Sequence, residues 1–179
     1  LPGMAVIVPA DVPETRAAVR AAARHRGPVY IRLGREAVPD VLPEGEGFEI
    51  GKSKVLWPTI GREALVAAPK EAAGLFDVSL IACGVMVKPC LDAARTLEAG
   101  GVRCVVADFA SIKPLDEELL LAMARSSKAM VTAEEHNVIG GLGSAVCEVV
   151  AGEHPMPVYR VGVRDRFGES GPEIGRAHV

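Results

Sequence analysis

The chain has 179 residues, 49% of them hydrophobic and 24% charged, which gives one well-buried domain or one domain plus part of another. Its net charge of −3 at pH 7 argues against a broad phosphate-binding face, and so against nucleic acid as a partner. No apolar run reaches the ~20 residues that span a bilayer and no basic-then-apolar leader opens the chain, so no membrane partner is expected.

Aromatic residues make up only 4% of the chain, so the core must be aliphatic, as in parallel α/β sheets buried on both faces. Cys83, Cys90, Cys104 and Cys147 lie far apart without a CxxC pair and read as reduced, buried thiols of a cytoplasmic protein. Residues 4–10 read as a short buried strand, and Leu1–Val6 runs into it as if cut from a longer chain. Asp11, Pro13 and Glu14 then predict a helix start, with Val19, Ala22 and Ala23 as its apolar stripe out to about Arg26. Gly27-Pro28 stops that helix and Val29–Leu33 forms a second strand, giving a β-α-β unit with parallel strands.

Residues 36–49 carry prolines, glycines and acids without periodicity and predict a linker containing a domain boundary. From Trp57 to Phe76 only a short helix from about Arg62 to Leu75, broken near Pro69, is suggested. The rhythm then becomes regular. Strands are predicted at 78–83, 102–107, 129–134 and 157–163, with helices at about 87–99, 114–125 and 142–151. This alternation predicts an α/β fold: a doubly wound, mostly parallel sheet with helices on both faces.

In such sheets ligands gather at the carboxyl ends of the strands. Four strand ends there carry chemistry. Arg32 and Arg35 could grip a phosphate or carboxylate, or could pair with the acidic linker. Glu134-Glu135-His136 could move protons, and the following Gly140-Gly141-Leu142-Gly143-Ser144-Ala145 could bring a backbone close to an anion or serve tight helix packing. Residues 108–114 could line a cleft or be a stiff connection. Arg164–Gly171, with alternating charges and one aromatic, is either a docking loop or a solvated turn. The chain carries no GxSxG, P-loop or HExxH motif.

Several of these strings resemble the transketolase family. Val6–Asp11 with Gly27–Arg35 is similar to the end of its pyrimidine-binding domain. Phe48–Lys52, Glu134-Glu135-His136, Gly140–Ala145 and Asp165–Gly171 are similar to its C-terminal domain, in the same order, and the match is nearest to split transketolases. The resemblance implies a partial β-α-β unit over 1–40, then a C-terminal domain over 48–179 built as a three-layer, mostly parallel five-stranded sheet. The last helices of that domain would be truncated, and the stretch 57–76 exceeds the short connection expected between its first two strands.

The implied activity is two-carbon ketol transfer between sugar phosphates in the pentose phosphate pathway. Thiamine diphosphate and Mg2+ would serve the complete enzyme, with none bound by this chain alone and no catalytic or metal-ligating residue on it. The implied partners are an N-terminal transketolase subunit or domain and a second copy, since the C-terminal domain mainly builds the dimer. Glu135, His136, Gly140, Gly141, Gly143 and Ser144 would then be interface or packing residues. Arg35, or Arg32 as in deoxyxylulose-phosphate synthases, would meet the substrate phosphate. The chain is expected to be inactive alone. The alternatives are a deoxyxylulose-phosphate synthase, a 2-oxo-acid dehydrogenase beta subunit, or a module that only dimerises.

Overall fold

The computed structural model describes residues 1–35, 37–68 and 74–167. Its centre is a five-stranded sheet in the order β3 (Lys54–Trp57), β5 (Cys104–Asp108), β4 (Val78–Ala82), β7 (Met130–Asn137), β8 (Val158–Val163). All neighbours are parallel except β3, which runs antiparallel to β5. The period of two along each central strand divides the core. Ile81, Val105 and Ala107 face α4 (Glu117–Ser126) and α5 (Leu142–Glu153), while Leu80, Ala82, Cys104 and Val106 face α3 (Val87–Ala99). The result is the three-layer α/β arrangement expected from the alternation.

The first unit comprises β1 (Ala5–Ile7), α1 (Val12–Ala22) and β2 (Val29–Ile31), with β1 and β2 parallel. It does not stand apart. β6 (Ser111–Lys113), a strand that the sequence reading took for a stiff connection, pairs antiparallel with β1 and gives a three-stranded sheet β2-β1-β6. At three residues, β6 is too short to show an alternating pattern.

α1 starts as expected, the Asp11 side chain accepting from the Glu14 amide at 2.9 Å. Its inward face differs from the predicted stripe: Glu14 and Ala18 are buried and Val19 is half exposed. The helix therefore presents an acid and a small residue to the sheet, where a purely apolar face was expected. Residues 37–53 contain neither helix nor strand, although Leu42 is buried. In the 57–76 stretch the helix α2 covers only Arg62–Val66, and residues 69–73 lie outside the described ones. Cys83, Cys90 and Cys104 are buried free thiols and Cys147 is half-buried. Among the described residues no helix is long and apolar enough to cross a membrane.

Asp116 ties the illegible stretch to the core. As N-cap of α4 its carboxylate accepts from the Leu119 amide (3.2 Å), the Ser53 amide (2.8 Å) and both ends of the Arg62 guanidinium fork (2.9 and 3.0 Å). Burial raises its pKa, but the Arg62 and amide hydrogen bonds outweigh burial and the net shift is downward. A lowered carboxyl stabilises the fold above its unfolded pKa, and the contribution is lost as pH falls through the folded value. Asp116→Ala should cost about 2 kcal/mol, the sum expected for a lost cap and a lost charge-assisted fork, since Arg62 keeps Glu118 at 2.7 Å. Urea unfolding at pH 7 checks this, and an unchanged midpoint contradicts it.

Candidate functional site

The chain runs from β4 through α3 to β5 on one side, then returns to place β7 on the other side of β4. The switch point of the sheet therefore lies between the carboxyl ends of β4 and β7, the usual ligand position in open α/β sheets. Here the first unit sits over it. The Val8 amide donates to the Ala110 carbonyl (2.7 Å), and the Val8 carbonyl accepts from the Gly84 amide (3.0 Å). Gly84 has φ +58, and a Cβ there would lie 2.9 Å from the Val8 side chain, so only glycine permits the approach. What remains is a cavity of about 170 Å³ lined by Arg32, Cys83, Glu134, Glu135 and His136, among others.

The structure thus brings Arg32, from the second strand of the first unit, to the end of β7, about a hundred residues away in the chain. Its guanidinium donates to the Glu135 carbonyl at 2.6 Å and lies 3.5 Å from the Glu135 carboxylate. Arg35 is exposed and does not line this cavity. It follows Leu33 and Gly34, which line a separate recess of about 240 Å³ with Pro9, Thr15 and Val85. The two arginines, alike in sequence, occupy different settings. His136 is exposed, one ring nitrogen lying 2.9 Å from the Asn137 carbonyl.

Glu134 explains the glycine-rich string. Its two carboxylate oxygens accept from the Leu142 and Gly143 amides, each at 2.8 Å, at the start of α5. A side-chain anion therefore occupies the helix N-terminus that a phosphate would otherwise take. Burial pushes the Glu134 carboxyl above its usual range, although these two amides, His136 and Arg160 pull it down. A Cβ on Gly141 would overlap the Glu134 carboxylate, and one on Gly143 would come within 2.8 Å of Thr132 Oγ1. Gly140 has φ +76 and turns the chain, its amide donating to Ser144 Oγ at 2.9 Å, while that hydroxyl donates to the Val138 carbonyl at 2.9 Å. The string packs closely around Glu134. Sequence spacing alone left open whether it cradled a ligand. The Asp165–Gly171 motif lies outside the described residues from Gly168 onward.

Residues 71–178 match the family model described as Transketolase, C-terminal domain. The chain belongs to this family. It is 40% identical over 171 residues to the 6-deoxy-6-sulfo-D-fructose transketolase subunit of Clostridium sp. (strain MSTE9), covering 96% of this chain and 48% of that protein. It is 38% identical over 175 residues to 1-deoxy-D-xylulose-5-phosphate synthase 1 of Geobacter sulfurreducens, covering 97% of this chain and 25% of that protein. A solved structure of a split-gene transketolase, described as an inactive beta4 tetramer, superposes with a TM-score of 0.81 at 50% identity, over 94% of this chain and 51% of that one. The chain thus spans about half the length of the transketolase subunit it matches and a quarter of the synthase. Within this transketolase-type domain, the tight spots around Glu134 are the sequence motif's physical content.

Gly141→Ala should destabilise the fold by about 1–3 kcal/mol, the usual cost of forcing a methyl into a filled space. Thermal unfolding reads this, and a variant as stable as the parent shows that the Glu134 carboxylate has room to move.

Proposed function

We propose that this chain supplies the C-terminal part of a thiamine-diphosphate-dependent transketolase acting on sugars that carry a terminal oxyanion. In this reading residues 1–40 end the pyrimidine-binding domain and 48–179 form the C-terminal domain. An N-terminal subunit or domain completes the enzyme. The observation that carries the reading is the division of labour between the arginines. Arg32 is committed to Glu135, while Arg35 stands exposed at a strand end beside an open recess, the setting a substrate-binding guanidinium needs.

The names of the relatives favour an anion at the end of the sugar, sulfonate in one and phosphate in the other. A guanidinium fork can bind either through paired hydrogen bonds. Among the described residues no three His, Cys, Asp or Glu side chains converge to hold a metal ion. In the proposed assembly the N-terminal part holds the diphosphate and its metal. The chain's own contribution is to seat the Arg35 segment and to assemble the enzyme.

Self-association with a second copy is part of the proposal. β8 is a sheet edge, Ile139 and Tyr159 are exposed around a recess of about 500 Å³ there, and Phe167 is exposed just beyond it in the chain. The structural relative described as a beta4 tetramer supports an assembly of like chains. A deoxyxylulose-phosphate synthase is the competing reading, favoured by the 38% identity to such an enzyme.

The test combines the full-length protein with its N-terminal partner, thiamine diphosphate and Mg2+. It compares ketol transfer from xylulose 5-phosphate with condensation of pyruvate and glyceraldehyde 3-phosphate. Transfer activity is expected, with none from residues 1–179 alone. Condensation without transfer moves the assignment to the synthase. Arg35→Ala should raise KM for the phosphorylated donor by about 10–100-fold, the loss of one or two charge-assisted hydrogen bonds. Arg32→Ala should instead lower stability, and equal KM effects from both variants refute the division.

A further inference from the structure

A second group of charges is buried where α1 meets the edge of the five-stranded sheet. Asp11, the N-cap of α1, and Glu14, in its first turn, are each 3% exposed, and Asp108, at the end of β5, is 1% exposed. Lys54 on β3 stands opposite Asp108 in the antiparallel β3–β5 register, so the two side chains leave the same face of the sheet. These four groups, two from the start of α1 and one from each strand, are the charges that meet there, with the buried Cys83 thiol just beyond β4 as the neighbouring titratable group.

Their hydrogen bonds are unequal. Asp11 Oδ1 accepts from the Glu14 amide, and its Oδ2 accepts from the Val41 and Leu42 amides, both at 2.8 Å. Glu14 Oε2 accepts from the Ala10 amide at 2.8 Å and its Oε1 accepts from the Lys54 ammonium. Asp108 has no donor on either oxygen. A buried, ionised carboxylate without a donor and facing two other carboxylates is unsustainable. Burial above all, then the charge and contact of Glu14, hold its carboxyl well above the usual range; Lys54 pulls it down and Asp11 adds to the rise. Because Glu14 already accepts two donors, the proton of the pair belongs on Asp108. Lys54, opposite Asp108 in the register, donates to Glu14 Oε1, which brings the Glu14 carboxylate to the Asp108 side of the contact as the acceptor for that proton.

We propose that Asp108 is kept as the neutral acid, that its O–H donates to Glu14, and that this shared proton locks α1 and the Val41–Leu42 segment onto the five-stranded sheet. Ionising Asp108 sets two carboxylates against each other across the α1–β5 contact and opens the lock. The same movement loosens the amides that Asp11 holds. The lock is independent of the transketolase reading, since it rests only on the contacts among these four residues.

The sign follows from linkage. The unfolded chain loses the Asp108 proton near the ordinary aspartate pKa, at about pH 4, while the folded chain keeps it. Each pH unit above that, up to the folded value, therefore costs about tenfold in the folding equilibrium. A neutral replacement escapes this cost.

In the full-length protein, denaturant unfolding of the parent should lose about tenfold in equilibrium constant per pH unit relative to Asp108→Asn between about pH 5 and 7. The two should show no pH-dependent difference below about pH 4. Asp108→Ser serves as a second neutral variant should Asn fail to fold. Infrared spectra of protein carrying carboxyl-labelled aspartate should show one protonated acid band at pH 7 that either variant removes. Exchange at the Val41 and Leu42 amides should accelerate with pH more steeply in the parent than in the variant. Parallel stability curves, or a parent spectrum without a protonated aspartic acid at pH 7, overturn the proposal.

Discussion

The carboxyl end of the five-stranded sheet depends on Val8 bonding to it through both of its peptide groups. A parallel sheet leaves a crevice where successive crossovers diverge, with peptide groups that need partners. In this chain the partner is its own first unit. The Val8 amide and carbonyl reach Ala110 and Gly84, just beyond the ends of β5 and β4 beside the crevice, and β6 pairs with β1 alongside. Once β1 is fixed there, β2 must follow beside it, and Arg32 arrives over β7 with Glu135 as its anchor. Arg35, three residues further, is carried past the crevice into the open.

That order of events gives the polar residues of the crevice their separate tasks. Glu134 satisfies the first amides of α5, so the helix has no free N-terminus to offer an external anion. Glu135 uses its carbonyl more than its carboxylate, at 2.6 against 3.5 Å, so Arg32 is anchored chiefly to the backbone. A guanidinium so held is poorly placed to follow a ligand. The same planar fork on an exposed loop is well placed to do so.

The legible part of this fold was the part that repeats. β4 and β5 are buried along nearly their whole length, and such strands stand out as short, mostly apolar runs next to a glycine turn. The helix start at Asp11 was equally plain, because a cap is a local event, while the helix expected from residue 114 begins after its cap Asp116. What stayed hidden was decided at a distance. β6 is a strand because β1 lies beside it, and the inward face of α1 carries Glu14 because Lys54 and the Ala10 amide await it forty and four residues away. The glycine-rich string was visible, yet its purpose depended on where Glu134 points. The two arginines could not be told apart until one of them met Glu135.

Three buried carboxyls show how the count of donors decides the sign of a shift. Asp116 accepts from two amides and both ends of a guanidinium, and its pKa falls despite burial. Glu134 accepts from two amides with no cation in contact, and burial prevails. Asp108 accepts from none and rises furthest from the ordinary range. The three act on stability in opposite directions. Acid removes what Asp116 contributes, while the raised carboxyls of Glu134 and Asp108 make folding less favourable as pH rises above the unfolded values. Asp116 fastens the segment around Arg62 to α4, and Asp108 fastens α1 to the sheet. The two attachments therefore weaken at opposite ends of the pH range, so the docking of the first unit and the body of the sheet need not loosen together.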